Sequence, residues 1–567
     1  MKIDFKEQLV CLLSDVFSLE KEALLPLISV PPNPDLGDFA MPCFRFAKEL
    51  KKSPPTIAAE YAEKIDLSGN PYFSRVAAEG AYLNFYVNRE AFVESVFREV
   101  NEKGFDYGRQ NVGEGKVVTI DYSSPNIAKE FHIGHLYTTI IGNALIKIYN
   151  KLGYKTYGLN FLGDWGTQFG KMVVAYEEWG EGREIETMTL ADLNKIYVKF
   201  HDKADEDPSY EDKARAAYLK MQQGDPGALR VQKAVKEISL VELDAMYKRM
   251  KVSFDSYNGE QYYNDKMQMV VDELKEKNLL VESEGAMVVD LEEFKLPPSL
   301  ILRRDGGTLY PTRDIAAAMD RHKVYGFHKS LYVTDMRQSL HFTQFFKVLE
   351  LMGHEFAKDL VHVPYGLLSL GDGSLSTRKG RVVLLNDLFD EAAGRIRQII
   401  TERNPDLPNK EEVAEQVGLG AIYFSALYNS RIKDSVFSWD RMLNPEGETG
   451  PYVQYTHARC AGVIANVGEV EEKIDYSLIT DTATFELAGV IAAFPGKVIE
   501  AADKNEPFIV SRAVMDISQA FNKFYNLNHV AGSEPKLKAA RLAAVKAAKA
   551  AIASGLALLG IEAPEKM

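Results

Sequence analysis

The chain has 567 residues, 46% of them hydrophobic and 26% charged, with a net charge of −14. That length predicts about three to four domains, the composition excludes a disordered or fibrous chain, and no apolar run reaches membrane-spanning length. Cys11, Cys43 and Cys460 are too scattered for a disulfide framework or a cysteine metal cluster, which fits a reducing cytoplasm; the acidic balance confines any nucleic-acid contact to a local basic face.

Residues 1 to about 110 read as a small α+β module. Phe5, Leu9, Leu12, Leu13 and Val16 form the apolar stripe of a first helix that lacks a signal-peptide core. Prolines 31, 32 and 34 and Gly37 mark a long turn, after which the pattern predicts helices over 39–51 and 56–64. The stretch VAAEGAYLNFYV, 76–87, predicts a hairpin broken at Gly80. Tyr82 and Asn84 have the same parity and so share a strand face. They either pack within the sheet or offer an aromatic platform and an amide to an unpaired base.

From 111 to about 178 the pattern becomes strand, helix, strand: 117–122, 134–152 and 156–162. Leu136, Ile140, Ile141, Ala144, Leu145 and Ile148 keep one helix face in a core. This is the parallel doubly wound pattern, whose ligands lie at the carboxyl ends of strands. The turn after the first strand delivers His132 and His135 to a helix N-terminus, where free N–H groups and the dipole favour phosphate. Gly134 between them leaves room for a flat ligand, and the GDWG run, 163–166, borders the same crevice.

Residues 179 to about 290 are charged and mostly helical, an insertion in which no chemistry is apparent. The α/β pattern resumes at 300–302. Tyr310 to Asp314 lead into a helix over 315–321, and Tyr310 and Asp314 share a face if helical. A strand over 331–333 ends in TDMRQ before a helix carrying His341; a further strand covers 362–368. The loop GDGSLSTRKG, 371–380, combines glycines, hydroxyls and two cations suited to a triphosphate. The remainder is α-helical, with helices over 413–428, 485–503, 509–525 and 536–553 and Gly555 as the stop signal of the last. Lys538, Arg541, Lys546 and Lys549 form a solvated cationic face or a phosphate contact. Tyr452, Gln454 and Tyr455 precede another helix and either join the core or stack on bases.

The stretches SPNIAKEFHIGHL, GDWGTQFG, YPTRD, HVPYGLLSL, LSTRKG and the ending LLGIEAPEKM occur in an order that resembles the class I aminoacyl-tRNA synthetases, and within them the arginyl enzymes, nearly end to end. The resemblance implies a multidomain α/β protein. Its expected parts are an N-terminal α+β tRNA-binding module (1–110), a Rossmann-like catalytic domain (111–383) interrupted by the helical insertion, a connective region (384–445) and an all-α anticodon-binding domain (446–567). It implies arginine activation by ATP, with Mg2+ and no structural metal, and transfer of the arginyl group to the terminal adenosine of tRNA(Arg). The expected enzyme is a cytoplasmic monomer without a membrane partner. No protein nucleophile is required, so catalysis rests on positioning and on stabilisation of phosphate charge.

By the same resemblance His132, Gly134, His135, Leu367, Leu368 and Ser376 contact ATP. His132, His135, Ser376, Arg378 and Lys379 act on the phosphates. The family's second loop lysine is replaced here by Thr377, and Lys129 is expected to supply that charge. Tyr137-Thr138-Thr139 stands where many relatives have Arg-Ser-Thr. Arginine-binding positions match Asp121, Ser123, Asn126, Tyr310, Asp314 and Gln338, a set in which carboxylates suit a forked guanidinium. Tyr82, Asn84, Tyr452 and Tyr455 match tRNA-contacting positions. Two other readings remain at this stage. A nucleotidylyltransferase would share the histidine turn but has no need of the helical C-terminal module. A non-catalytic tRNA-binding paralogue would carry a damaged histidine motif or loop.

Overall fold

The computed structural model describes residues 4–127, 131–304, 307, 309–370, 383–470 and 473–567. At the N-terminus, β1 (Phe39–Pro42), β2 (Phe73–Glu79) and β3 (Tyr82–Val87) form an antiparallel sheet in the order β1-β3-β2. The expected helix over 39–51 is thus only partly found. Phe39–Pro42 pairs with β3, Phe39 opposite Phe85, and only Ala47–Leu50 is α-helical. Edge pairing against a waiting strand overrides helix propensity here, and Pro42 is tolerated because the edge leaves its missing N–H unneeded. The hairpin does break at Gly80, whose φ of 58° favours glycine.

The frame of the central region is a parallel sheet of β4 (Val117–Asp121), β5 (Lys155–Leu159), β9 (Lys329–Asp335) and β10 (Leu360–Tyr365), in the order β10-β9-β4-β5. The chain leaves β4 toward β5 and returns on its other side as β9. The carboxyl ends of β4 and β9 therefore border a switch point, where a crevice must open. Successive residues of β9 face opposite layers. Leu331 and Val333 join the core of the helix Ile133–Lys151, whereas Tyr332 joins Ile315, Phe342 and Phe345 of the helices Tyr310–Tyr325 and Ser339–Leu351.

The strand expected at 300–302 exists but lies elsewhere. β8 (Ser299–Leu302) completes an antiparallel meander with β6 (Leu280–Ser283) and β7 (Ala286–Val289). β11 (Leu368–Leu370) pairs in parallel with β12 (Ser435–Phe437), a short strand inside the region expected to be helical.

The insertion is helical, as expected, and bound on both sides. Gln232 and Lys236 of its helix Pro226–Met250 bond Asp164, and Arg249 bonds Asn386, Asp390 and Glu415 of the connective helices. The C-terminal bundle comprises Gly450–Val467, Thr482–Lys504, Phe508–Leu527 and Pro535–Leu558. Thr482–Lys504 is long and apolar enough to cross a membrane by length and composition; here Leu487, Ile491, Phe494 and Val498 are buried in the bundle core. Gly555 does not stop the last helix, which runs on to Leu558. It is buried, and a methyl group there would overlap Val514 Cγ2, so the glycine serves close helix packing. The N-terminal module ends in Arg89–Lys103, which packs on this bundle through Phe92 against Phe485 and Asn101 on the Ala543 carbonyl.

Candidate active site

Beyond Asp121 the chain turns through Ser123 and Ser124, both in left-handed backbone at φ 69° and 44°. Such strain costs on the order of 1–3 kcal/mol per residue and needs over-determined surroundings. Those are present. Ser123 N donates to Thr138 Oγ1 at 3.1 Å, and Ser123 Oγ lies 2.7 Å from Tyr247 Oη and receives Thr139 Oγ1 at 2.9 Å. Ser124 Oγ donates to Asp121 Oδ1 at 2.7 Å and accepts from Phe161 N. Ser123, expected at the amino acid, is buried with its hydroxyl committed to this network. Asn126 is exposed, and its bridge to Gly163 brings the GDWG run beside the turn, as expected. A side chain at Gly163 would overlap Asn126 Oδ1.

Asp121 itself is 6% exposed and pairs with Arg321, 3% exposed, at 2.7 Å. Phe161 and Tyr332 flank that guanidinium with their rings. Burial pushes the Asp121 carboxyl up against the pull of Arg321, whereas the carboxylate and neighbouring tyrosines hold Arg321 firmly in its charged form. The acid expected to face substrate arginine is thus engaged by an arginine of the chain itself.

The histidine turn forms as a cap. His132 is the N-cap residue of Ile133–Lys151. Its Nδ1 accepts from Gly134 N at 3.1 Å, and His135 Nδ1 accepts from His132 N at 3.2 Å. Both Nδ1 atoms being acceptors, each neutral ring carries its proton on Nε2. The rings lie 3.9 Å apart, with Phe131 stacked on His135. Two ring N–H groups beside a helix N-terminus have the chemistry that suits phosphate oxygens. Gly134 has a reason beyond ligand access, since a methyl group there would meet the His132 ring at 2.8 Å. Backbone pairing of Phe131 and Ile133 with Leu385 and Val383 ties the turn to the chain just after residue 382.

Across the crevice, Tyr310 and Asp314 occupy successive turns of one helix, and Gln338 and His341 lie three apart on the next. Asp314 Oδ2 is 2.6 Å from His341 Nε2. Tyr310 is 64% exposed and Gln338 is exposed. Glu260, beside Arg313 at 3.2 Å, is buried; burial and the nearby carboxylates push it up to about 7 despite that cation. Leu367 is exposed, its N–H held by Asp434, and Leu368 opens β11. Lys129, Ser376, Arg378 and Lys379 lie outside the described residues. Among the described residues no group of three or more acidic, histidine or cysteine side chains could hold a metal ion.

The tRNA-contacting candidates fall on the terminal modules. Tyr82 is 41% exposed and meets Phe44 edge-on. Asn84 lies beside it, 2% exposed between Ala40 and Ala77, with its carbonyl buried and unpartnered among the described residues. Tyr452, Gln454 and Tyr455 do not precede a helix; they lie within Gly450–Val467, which Thr449 caps through Tyr452 N. Tyr455 is exposed with Arg459 over its ring, Tyr452 bonds Asn522, and Gln454 is buried. In the cationic helix, Arg541 bonds the His529 carbonyl and Lys549 pairs with Glu565, leaving Lys546 exposed.

Sequence reasoning gave no role to Tyr247, Glu260, Arg321 or His341, and named only the last, as part of a helix. The first two come from the stretch read as chemically silent. Only the fold carries them to the crevice, Tyr247 to Ser123 across 124 residues and Glu260 to Arg313 beside Asp314. A cavity of about 680 Å³ opens elsewhere, where Lys147, Lys251 and His457 meet the C-terminal tail, and contains none of the site residues.

Three family descriptions match the chain: "Arginyl tRNA synthetase N terminal domain" over residues 4–87, "tRNA synthetases class I (R), catalytic domain" over 99–439, and "DALR anticodon binding domain" over 453–567. The chain is 49% identical to arginine–tRNA ligases of Halothermothrix orenii, over 567 residues, and Clostridioides difficile, over 566, covering all of each. Among solved structures it is similar to the Thermus thermophilus arginyl-tRNA synthetase, with TM-score 0.77 and 26% identity over 99% of both chains. The Plasmodium falciparum arginyl-tRNA synthetase shares the fold, with TM-score 0.80 and 22% identity over the whole of both chains.

Proposed function

From the chain's membership of the arginyl-tRNA synthetase family of class I aminoacyl-tRNA synthetases, we propose how its own residues perform that family's reaction. The chain is an arginine–tRNA ligase. It activates L-arginine with ATP to arginyl-adenylate and transfers the arginyl group to the 3′-terminal adenosine of tRNA(Arg).

The arginine carboxylate attacks the α-phosphorus in line, and pyrophosphate leaves. No side chain forms a covalent bond, so the residues act by holding charge and geometry. The observation that carries this reading is the histidine pair. His132 and His135 have both Nδ1 atoms committed to backbone N–H groups, which leaves the proton of each neutral ring on Nε2, beside one helix N-terminus. Charge growing on the α-phosphate oxygens meets donors that need no reorganisation. Exposed Leu367, with half-buried Leu368 beside it, offers the adenine an apolar face. Lys129, Ser376, Arg378 and Lys379 supply cations and hydroxyls to the phosphates by the family resemblance. Mg2+, when bound with ATP, would neutralise charge on the phosphates, a role that needs few ligands from the protein.

For the amino acid, Asp314 accepts the guanidinium, with Tyr310 packing along the side chain and Asn126 and Gln338 orienting the α-amino and carboxylate groups. The Arg321 pair shifts Asp121 from a direct acceptor toward a fixed anchor of the turn. Glu260 is added as a second acid facing Asp314 and Tyr310. Two acceptors at different angles match a planar fork and leave a lysine ammonium with an unmet carboxylate. Tyr82 supplies a stacking surface for a splayed base, beside the unpartnered carbonyl of Asn84, and Tyr455 with Tyr452 contacts the anticodon stem-loop. The division at about residues 110, 383 and 445, a monomeric state and a cytoplasmic location complete the proposal.

The test is arginine-dependent ATP–pyrophosphate exchange with and without tRNA. Exchange is expected only when arginine and tRNA are both present. Exchange with a different amino acid refutes the specificity, and bound tRNA without exchange under any condition refutes catalysis.

A further inference from the structure

On the helix pair that carries Tyr310, Asp314 and Gln338, the side chain bonded to Asp314 has no part in the reading above. His341 stands one turn beyond Gln338, about a quarter exposed, with Phe342 and Phe345 against its ring. Its Nε2 lies 2.6 Å from Asp314 Oδ2, and Asp314 is exposed to a similar degree. Among the described residues, Asp314 Oδ1 has no hydrogen-bond partner. A carboxylate on a helix surface turns freely about its last two torsions, and ordering it on binding costs affinity. Here one oxygen is already claimed by a ring whose own orientation is set by packing, and the other is left for a ligand.

We infer that His341 is a positioning residue for arginine recognition: Nε2–H holds Asp314 Oδ2, so that Oδ1 faces the substrate guanidinium. The geometry explains why a group that competes for the carboxylate stands inside a guanidinium site at all. A bidentate grip by Asp314 would leave no oxygen for His341. An end-on grip through Oδ1 uses the fixed carboxylate and leaves the remaining guanidinium N–H groups for Glu260 and for carbonyl acceptors. The histidine contributes without touching arginine or ATP.

The inference rests on Asp314 being a guanidinium acceptor, and the test separates the two. Full-length wild type, H341Q, H341N and D314N are compared in exchange with tRNA present, varying arginine and ATP in turn. Glutamine places its amide N–H near the position of Nε2; asparagine is too short to reach. A hydrogen bond to a charged group corresponds to about tenfold in affinity. H341N is expected to raise KM for arginine about tenfold, with KM for ATP and kcat close to wild type, and H341Q to stay within about threefold. Equal behaviour of H341N and H341Q, including a shared loss of folding in thermal melts, overturns the inference, because both remove the same ring. So does an equal rise in KM for ATP. A D314N enzyme with wild-type KM for arginine overturns the acceptor assignment and the inference with it. A raised KM in D314N beside an unaffected H341N overturns the inference alone.

Discussion

The crevice at the end of β4 and the bundle at the C-terminus are held together by opposite means. In the crevice, Asp121 pairs with buried Arg321, two serines sit in left-handed backbone, and hydroxyls of Ser123, Thr139 and Tyr247 close a chain of hydrogen bonds. In the bundle, the last helix buries seven alanines from Ala539 to Ala551 against its neighbours, and Gly555 seats on Val514. Polar networks give orientation at the cost of desolvation, whereas apolar packing gives stability with little demand on angle. The difference teaches where each kind of damage will register: as lost chemistry at the crevice and as lost melting temperature in the bundle.

The hardest blow to that division is Asp121→Ala. Removing one partner of a buried pair costs about 3–5 kcal/mol because the other charge is stranded. Stability and arginine use should therefore fall together, with ATP binding much less affected. A variant that melts like wild type would show that Arg321 finds another partner and that Asp121 is only a ligand. His135→Ala sharpens the contrast. Loss of one preorganised donor is expected to lower exchange by about 100- to 1,000-fold, while the melting temperature drops by no more than a lost cap, about 1 kcal/mol, implies.

Gly555→Ala should do the reverse. Overpacking costs about 1–3 kcal/mol, a fall of a few degrees in melting temperature, with exchange per folded molecule unchanged at permissive temperature; a loss of exchange beyond the unfolded fraction would show that the bundle signals to the crevice. Tyr455→Ala tests the exposed edge of the bundle. Losing one base-stacking ring should raise KM for tRNA by about tenfold, within the ~1–3 kcal/mol of such contacts, and leave melting alone. The smallest effect is in pH. Glu260 is raised from its usual value to about 7 by burial. Its protonated form is favoured in the folded protein, so that contribution to stability is complete below about pH 4.5 and is lost as pH rises through about 7. Guanidinium binding requires the opposite, ionised form. KM for arginine should thus rise severalfold from pH 8 to pH 6, and Glu260→Gln should flatten this limb.

Much of the site was legible because its chemistry is local. His132 and His135 are three residues apart at a helix start, Tyr310 and Asp314 four apart on a helix, and those spacings alone determine that each pair shares a face. Gly555 and the segment 39–51 misled for a common reason: a glycine that ends a helix and one that admits a neighbour look alike in sequence, and so do a helix and an edge strand of mixed residues until a partner strand is known. The pattern puts Tyr452 and Tyr455 just ahead of a helix they in fact occupy, because Gly450 and Pro451 open that helix as readily as they form a turn.

By itself the sequence determined most of the elements and the order of the motifs, since periodicity and short spacings depend on neighbours along the chain, and the family resemblance those motifs carry implied the class of reaction. Only the tertiary structure decided which charges meet. Arg321 reaches Asp121 across 200 residues, and Tyr247 and Glu260 arrive from an insertion that reads as plain helical surface. Charge pairing in a low-dielectric interior depends on ångström distances between elements far apart in sequence, and no local pattern records them.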